Sequence, residues 1–353
     1  MYKIKQIPED FVVNEIIDLD VSSNGLYAYY NLKKTDYTSV GALQALSKRF
    51  HIPLKFFGFA GNKDKKAITE QKISIFKGSK NFEGSKFENI ELKHLGNGKH
   101  PISLGDLQGN EFTITIRNID ENEIDKIKQF ENKKICVDAC ENARSHARVH
   151  IPNFFGSQRF SKNNHLVGKA IVKKDFKKAV ELILENDGSM EYEIKASIES
   201  NKNNYIQALR LIPLKTRKLF VHAYQSYLFN ETIKEFLKNK ENFNDNLKIP
   251  IIGFEFEIDN AKNPELKTII KKIIEDEKIN PRDFVIHPMP ELTSEGNERD
   301  LFFELNDLKI LEVNDDELNE SKKKIKINFT LKKGCYATTL IDFIYSSKPP
   351  CLP

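Results

Sequence analysis

The order of strand-like and helical segments is the feature that most restricts the fold of this chain. Short runs of β-branched and aromatic residues, separated by turns rich in Gly, Asn, Ser and Lys, dominate the first 120 residues. Longer amphipathic helical patterns cover residues 164–185 and 216–240, and strand-like runs return after residue 281. Sheet-forming ends around a helix-rich block predict an α+β protein in which a sheet domain is interrupted by an inserted domain.

Three local patterns indicate how the sheet regions are built. Residues 11–17 and 26–32 are expected to pair as a hairpin. Thr38 or Ser39 should cap a helix whose apolar positions recur at helical spacing. Residues 336–345 read as a strand near the end of the chain.

Composition and charge exclude several classes of protein. At about 150 residues per domain, 353 residues predict roughly two domains, and no apolar run approaches the roughly 20 residues that a membrane helix needs. The first residues lack the pattern of a secretion signal, so the chain is expected to be cytoplasmic with no membrane partner. The net charge is only +4, from 55 basic and 51 acidic side chains, so any affinity for nucleic acid must come from local clusters.

The densest polar cluster, residues 58–71, connects two predicted strands. It is not a phosphate-binding loop of the ATPase type, because Asp64 stands where such a loop needs Ser or Thr after its lysine. A carboxylate set among Lys63, Lys65 and Lys66 should stay ionised, which suits a nucleophile or a base. The same composition also fits a solvated turn.

Two further clusters allow a functional and a structural interpretation. Cys136, Cys140, His146 and His150 could ligate a metal, but on a continuous helix they would spread over about 21 Å, so no metal site is predicted. Residues 152–160 place Arg159 among phenylalanines. This mixture can stack on bases and pair with phosphates, and it also occurs in buried turns, so Arg159 is a candidate for RNA contact.

Six blocks of the sequence, taken in order, resemble the TruD family of pseudouridine synthases. The blocks are residues 5–15, 58–71, 104–113, 152–160, 223–230 and 334–339. The resemblance implies a pseudouridine synthase catalytic domain with a mostly antiparallel sheet, interrupted by a family-specific inserted α/β domain. The implied boundaries are 1–149 and 311–353 for the two parts of the catalytic domain and 150–310 for the insertion.

The resemblance also implies the residues of the site. The family's catalytic aspartate falls on Asp64, and the expected contacts to the target nucleoside are Phe11, Asn110 and Tyr336, with Lys5, Lys63 and Phe112 as further substrate-binding candidates. Two positions depart from the family pattern. Tyr336 stands where the family often has Phe, and Ser161 replaces a glycine. The stretch from residue 112 to 153 is also longer than in typical bacterial members.

The implied activity is isomerisation of a uridine in tRNA, at position 13, to pseudouridine. Asp64 could attack ribose C1′ as a nucleophile or remove the 2′ proton, and the residues do not choose between these routes. The partner is tRNA, and neither a cofactor nor an obligate protein partner is expected. Two alternatives are a non-catalytic RNA-binding or RNA-folding protein on the same fold and a metal-dependent RNA-processing enzyme.

Overall fold

The chain divides into two compact units, which are described separately below. The computed structural model describes residues 2–22, 24–78, 82, 84, 86–87, 89–131, 149–161, 163–185, 191–201, 203–238, 247–260, 263–305 and 307–345. Unit 1 comprises Met1–Ile151 and Glu304–Ala337, and unit 2 comprises Pro152–Phe303 and Thr338–Pro353. This division differs from the sequence-based boundaries in giving 150–151 and 304–310 to unit 1 and 338–353 to unit 2. The assignment of catalytic and inserted domains stays a prediction.

Strands and helices are numbered here in chain order. The strands are β1 (Phe11–Ile16), β2 (Tyr27–Thr35), β3 (Phe57–Phe59), β4 (Ile68–Phe76), β5 (Lys86–Phe87), β6 (Ile90–Gly98), β7 (Gly109–Ile119), β8 (Val149–Pro152), β9 (Lys248–Ile251), β10 (Asn297–Asp300), β11 (Phe302–Leu305), β12 (Lys309–Asp315) and β13 (Lys323–Lys332). The α-helices are α1 (Ser39–Phe50), α2 (Glu121–Glu131), α3 (Asn164–Val172), α4 (Phe176–Leu184), α5 (Glu191–Ser200), α6 (Tyr205–Leu211), α7 (Leu214–Leu237), α8 (Pro264–Glu277) and α9 (Ala337–Tyr345).

Unit 1 is built on a mixed sheet of nine strands among the described residues. The strand order is β12-β13-β7-β1-β4-β2-β6-β5, with β3 pairing on β4. The β1–β4 pair is parallel and the other registered pairs are antiparallel. The α+β class and the mostly antiparallel sheet are therefore confirmed.

The predicted hairpin of β1 and β2 is wrong. β1 pairs with β4 and β7, whereas β2 pairs with β4 and β6. The segment between the two strands, residues 17–26, is much longer than the two-residue turns that force adjacent strands to pair. Without that local constraint, β2 pairs with β4 along nine residues, from Tyr27 to Thr35.

Helix α1, which the sequence predicts, packs on one part of this sheet. Thr38 is its N-cap, and the Thr38 side chain accepts a hydrogen bond from the Gly41 amide at 3.0 Å. Leu43 and Leu46 are buried against residues of β2, β4 and β6, including Leu32. The helix thus covers the sheet next to the β3–β4 connection.

Unit 2 is mainly helical. Its core surrounds α7, where Tyr224, Leu228 and Phe229 are fully buried, and β9 pairs antiparallel with β10. No helix in the described part of the chain is both long and apolar enough to span a membrane.

The strand predicted at residues 336–345 is also wrong, because this segment forms α9. Its buried residues are Ala337, Leu340, Ile341 and Ile344, which is the spacing of one helix face. Thr, Ile and Phe favour strands locally, but the burial of this apolar face decides the conformation.

Candidate functional site

Asp64 lies in the loop between β3 and β4 of unit 1, and side chains from two other elements hold that loop. The Lys63 amide donates to Ser39 Oγ at 2.8 Å, and Ser39 Oγ donates to Gln71 Oε1 at 2.6 Å. Gln71 Nε2 in turn donates to the Gly61 carbonyl at 3.3 Å. The start of α1 and the strand β4 therefore fix the main chain immediately before Asp64.

Asp64 forms an ion pair with Lys5. Lys5 Nζ lies 2.8 Å from Asp64 Oδ2, and the Asp64 side chain is 45% exposed while that of Lys5 is 13% exposed. The same ammonium lies 4.0 Å from the centroid of the Phe11 ring. Asp64 is thus an accessible carboxylate, and its orientation is set by the largely buried ammonium of Lys5, which lies against the face of the Phe11 ring.

Lys63, the residue next to Asp64, points into a different environment. Its Nζ lies 2.5 Å from Glu15 Oε1, and the two side chains are 5% and 0% exposed. Glu15 Oε2 also accepts a hydrogen bond from the Lys72 amide at 2.9 Å. The sequence suggested that the three neighbouring lysines surround Asp64. In the structure Lys5 pairs with Asp64, Lys63 pairs with Glu15, and Lys65 and Lys66 are exposed.

A second buried lysine lies beneath the loop and was not identified from the sequence. Lys34, on β2, is 0% exposed, and its Nζ donates to the carbonyl oxygens of Tyr37 at 2.5 Å and Asp64 at 2.9 Å. Burial lowers the pKa of Lys34 to about 8, with Asp64 acting to raise it and Lys63 to lower it.

Phe11 and Phe112 contact each other on adjacent strands of the sheet. Their ring centroids are 6.0 Å apart in an edge-to-face arrangement, and Phe112 stacks on Phe329 at 5.4 Å. Phe11 and Phe112 are buried, whereas Tyr336, which follows β13, is exposed. The contacts therefore connect Asp64, Lys5, Phe11 and Phe112.

Asn110 lies on β7 opposite Glu15 of β1. Its Oδ1 atom is buried and accepts no hydrogen bond from any residue that the structure describes. A buried acceptor without a donor costs free energy, so such an atom is suited to receive a donor from a ligand.

The segment that carries Lys5 is anchored by a buried charge network. Lys3 exchanges main-chain hydrogen bonds with Arg117, and Arg117 Nε donates to Asp10 Oδ1 at 2.7 Å. Arg117 Nη1 donates to Asp316 Oδ1 at 2.8 Å, and Nη2 donates to Glu317 at 3.0 Å. Burial alone would lower the pKa of Arg117, but its hydrogen bonds to carboxylates raise that pKa above its usual value. The chain is therefore anchored to Arg117 both before Lys5, at Lys3, and after it, at Asp10.

Arg159 lies in unit 2 and is half-buried. Its Nε donates to Ser226 Oγ at 3.1 Å, and its guanidinium lies 5.6 Å from the Phe155 ring centroid. Phe155 and Phe160 are buried in the core of unit 2, so the phenylalanines of this segment form a buried turn. RNA contact by Arg159 stays a prediction.

The cysteines and one histidine of the weak metal pattern, Cys136, Cys140 and His146, lie outside the described residues. Among the residues that are described, no group of three or more His, Cys, Asp or Glu side chains could hold a metal ion.

Comparison with known proteins gives consistent matches along the chain. The family model described as tRNA pseudouridine synthase D (TruD) matches residues 2–200, 187–248 and 241–342. The chain is 31% identical to tRNA pseudouridine synthase D of Aquifex aeolicus, with 98% of each chain covered. It is 30% identical to a Methanococcus maripaludis protein named probable tRNA pseudouridine synthase D 1, with 98% of this chain and 99% of that protein covered.

A solved structure shares the fold. The crystal structure from Methanosarcina mazei that bears the name tRNA pseudouridine synthase D (TruD) aligns with a TM-score of 0.71 at 26% identity. The alignment covers 98% of this chain and 94% of that one.

Proposed function

The chain belongs to the tRNA pseudouridine synthase D (TruD) family, and on that premise we propose that it isomerises uridine 13 of tRNA with Asp64 as the catalytic carboxylate. Family membership makes the chain a pseudouridine synthase, which is an isomerase. The reaction breaks the bond between ribose C1′ and uracil N1 and forms a bond from C1′ to C5. The proton on C5 is lost and N1 gains one, so no co-reactant is consumed.

The observation that carries the proposal is the accessible carboxylate of Asp64, oriented by Lys5 over the Phe11 ring. A half-exposed carboxylate held by one directed ion pair can approach the sugar without losing its orientation. It can serve as the nucleophile at C1′ or as the base at the 2′ position. Both routes use the carboxylate of Asp64, and in both Lys5 orients it.

Asn110 and Tyr336 complete the proposed site. The unpartnered Oδ1 of Asn110 is suited to accept the N3–H of the target uracil. Tyr336 is exposed and offers a ring face on which a flipped base can stack. Phe11 and Phe112 are buried, so in this proposal their rings support the site from below.

Lys63 is proposed to act in the site without touching the substrate. Its ammonium is buried against Glu15, so it holds the loop rather than presenting a charge to RNA. The unit that surrounds α7, with Arg159, is proposed to supply additional contact to the tRNA backbone.

The first experiment measures pseudouridine in a tRNA transcript treated with wild type or with Asp64→Asn. We expect Asp64→Asn to lose roughly a thousandfold or more in turnover while tRNA binding changes little, because the amide keeps the shape but not the reactive anion. Asp18→Asn, which alters an exposed carboxylate of the same unit, is the control and should retain activity.

Two results would contradict the proposal. A wild-type protein that binds tRNA but forms no pseudouridine would favour the non-catalytic alternative. If the protein forms as much pseudouridine in a transcript with cytidine at position 13 as in the normal transcript, uridine 13 is not the target.

A further inference from the structure

Lys34 is a fully buried cation, and no carboxylate in the described part of the chain forms an ion pair with it. Within the described residues, both hydrogen bonds of its Nζ go to main-chain carbonyls, those of Tyr37 and Asp64. A buried ammonium is costly to desolvate, and most buried lysines are paired with an acid. The two carbonyl oxygens offset part of the cost of desolvating the ammonium, and one of them belongs to Asp64.

The cross-strand neighbours of Lys34 on the two adjacent strands carry no charge. Its register partners are Thr69 on β4 and Ile90 on β6, neither of which carries a charge. The two ionisable groups that act on it are Asp64 and Lys63, one favouring and one opposing its protonated form. The charge of Lys34 is therefore directed at the loop that carries Asp64.

We propose that Lys34 is a positioning residue of this enzyme, whose buried ammonium fixes the main chain of Asp64 and is needed in its charged form for full turnover. The proposal rests on the proposed catalytic role of Asp64. Hydrogen bonds from a charged donor are roughly twice as strong as those from a neutral donor. Loss of the proton therefore loosens the Asp64 carbonyl while leaving the sheet around β2 intact.

Lys174 in unit 2 provides a natural control of the same chemistry. Its Nζ also donates to two main-chain carbonyls, those of Val172 and Asp283, and burial lowers its pKa as well. It belongs to unit 2 and bonds no residue of the Asp64 loop. Lys174 is half-buried, whereas Lys34 is fully buried. A merely structural contribution of a lysine that bonds main-chain carbonyls should be visible at both positions, whereas a contribution to the reaction should be visible only at Lys34.

The test compares wild type, Lys34→Met, Lys34→Arg and Lys174→Met by the dependence of kcat/KM on pH, with thermal unfolding recorded on the same samples. Wild type and Lys174→Met should both lose kcat/KM as pH rises through about 8, where Lys34 releases its proton. Lys34→Met should lack this decline and be reduced roughly 10- to 100-fold in the plateau, mainly in kcat. Lys34→Arg should retain more activity than Lys34→Met and show no decline near pH 8.

Several outcomes would overturn the proposal. One is a wild-type profile that is flat between pH 7 and pH 9.5, which requires no variant to fold. Another is a Lys34→Arg profile identical to that of wild type. A third is a Lys34→Met protein that is folded and fully active. If the wild-type protein forms no pseudouridine, or if Asp64→Asn is active, the proposed function fails instead, so the two failures are distinguishable.

Discussion

The two units bury different kinds of polar side chain. In the described part of unit 1 the buried charged residues are Asp10, Glu15, Lys34, Lys63, Arg117 and Asp316. In the described part of unit 2 the buried polar residues are largely amides and hydroxyls, with Arg217 as the charged exception. Amides such as Asn230 bind main-chain groups, and Arg217 pairs with the half-buried Glu291.

The difference shows that this chain desolvates charged side chains mainly in unit 1, where their burial costs free energy. A buried ion pair is often no more stabilising than apolar residues of the same volume, so its presence needs a reason other than stability. In unit 1 five of these six charges bond the loop of Asp64 or the segments that carry Lys5 and Glu15. The sixth, Asp316, bonds the Arg117 guanidinium, which also bonds Asp10. Unit 2 uses neutral amides, which hold main chain together without that cost.

Removal of one partner of a buried ion pair in unit 1 should have the largest effect on stability. Lys63→Met leaves Glu15 charged and without exposure, so we expect the free energy of unfolding to fall by about 3–5 kcal/mol in urea titrations. Lys178→Met, which removes an exposed partner of Glu181, should change it by about 1 kcal/mol or less. If the two variants are equally stable, the buried pair contributes no more to the free energy of unfolding than an exposed pair. The double variant Lys63→Met/Glu15→Met should be more stable than Lys63→Met alone.

The buried ammonium of Lys34 should make the stability of unit 1 depend on pH. The pKa of Lys34 is about 8 in the folded chain and 10.5 by its ordinary value, so between these limits the unfolded chain holds a proton that the folded chain lacks. The contribution of Lys34 to stability therefore rises with pH across this window, by about 3 kcal/mol in total. Subtracting the unfolding free energy of Lys34→Met from that of wild type should reveal this rise, while kcat/KM falls over the lower part of the window. If the difference in unfolding free energy between wild type and Lys34→Met decreases with pH, the pKa of Lys34 is not lowered in the folded chain.

In unit 2 the corresponding test concerns a neutral amide. Asn230 accepts from the Phe155 amide at 2.8 Å and donates to the Phe155 carbonyl at 3.0 Å. Asn230→Ala should lower the free energy of unfolding by about 1–3 kcal/mol, because both main-chain groups lose their partner inside the core. The loss should be independent of pH between 6 and 9, and the folded fraction should keep its kcat. A change in the pH profile of kcat/KM would show that unit 2 also contributes to the site.

The smallest expected effect belongs to Arg159. If it contacts RNA, Arg159→Ala should weaken tRNA binding by about 1 kcal/mol, lower the salt dependence by about one ionic contact, and leave kcat nearly unchanged. Arg210→Ala, which removes an exposed arginine of the same unit, is the control for loss of charge alone. A lower Tm without a change in binding would mean that the contacts of Arg159 with Ser226 and Phe155 are its whole function.

The sequence predicted the candidate reactive residues better than the buried residues that fix the Asp64 loop. Asp64 and Lys5 lie in recognisable blocks, and the structure places them 2.8 Å apart. The pairing of Lys63 with Glu15 joins positions 48 residues apart in the chain, and no local pattern encodes it. Lys34 did leave a signal, because Leu32 and Lys34 share a strand face and a lysine at an inward position needs an explanation.

The misplaced elements have a common cause. The hairpin of β1 and β2 and the strand at residues 336–345 were inferred from local propensity, and both depend on distant partners. β1 pairs with β7, about 100 residues away, and α9 takes its conformation from burial of Leu340 and Ile341. Local preference decides such segments only when no tertiary contact competes with it.

The register of β7 with β13 has a consequence for biosynthesis. β7 ends at Ile119, and its partner begins at Lys323, so a ribosome must add roughly 200 residues before the pairing can start. At about 5–20 residues per second this takes roughly 10–40 s, during which all of residues 152–303 are made. Throughout that interval one edge of β7 has unpaired amide and carbonyl groups, the kind of surface on which nascent chains aggregate. The nascent chain therefore has an unpaired strand edge for more than half of its own synthesis.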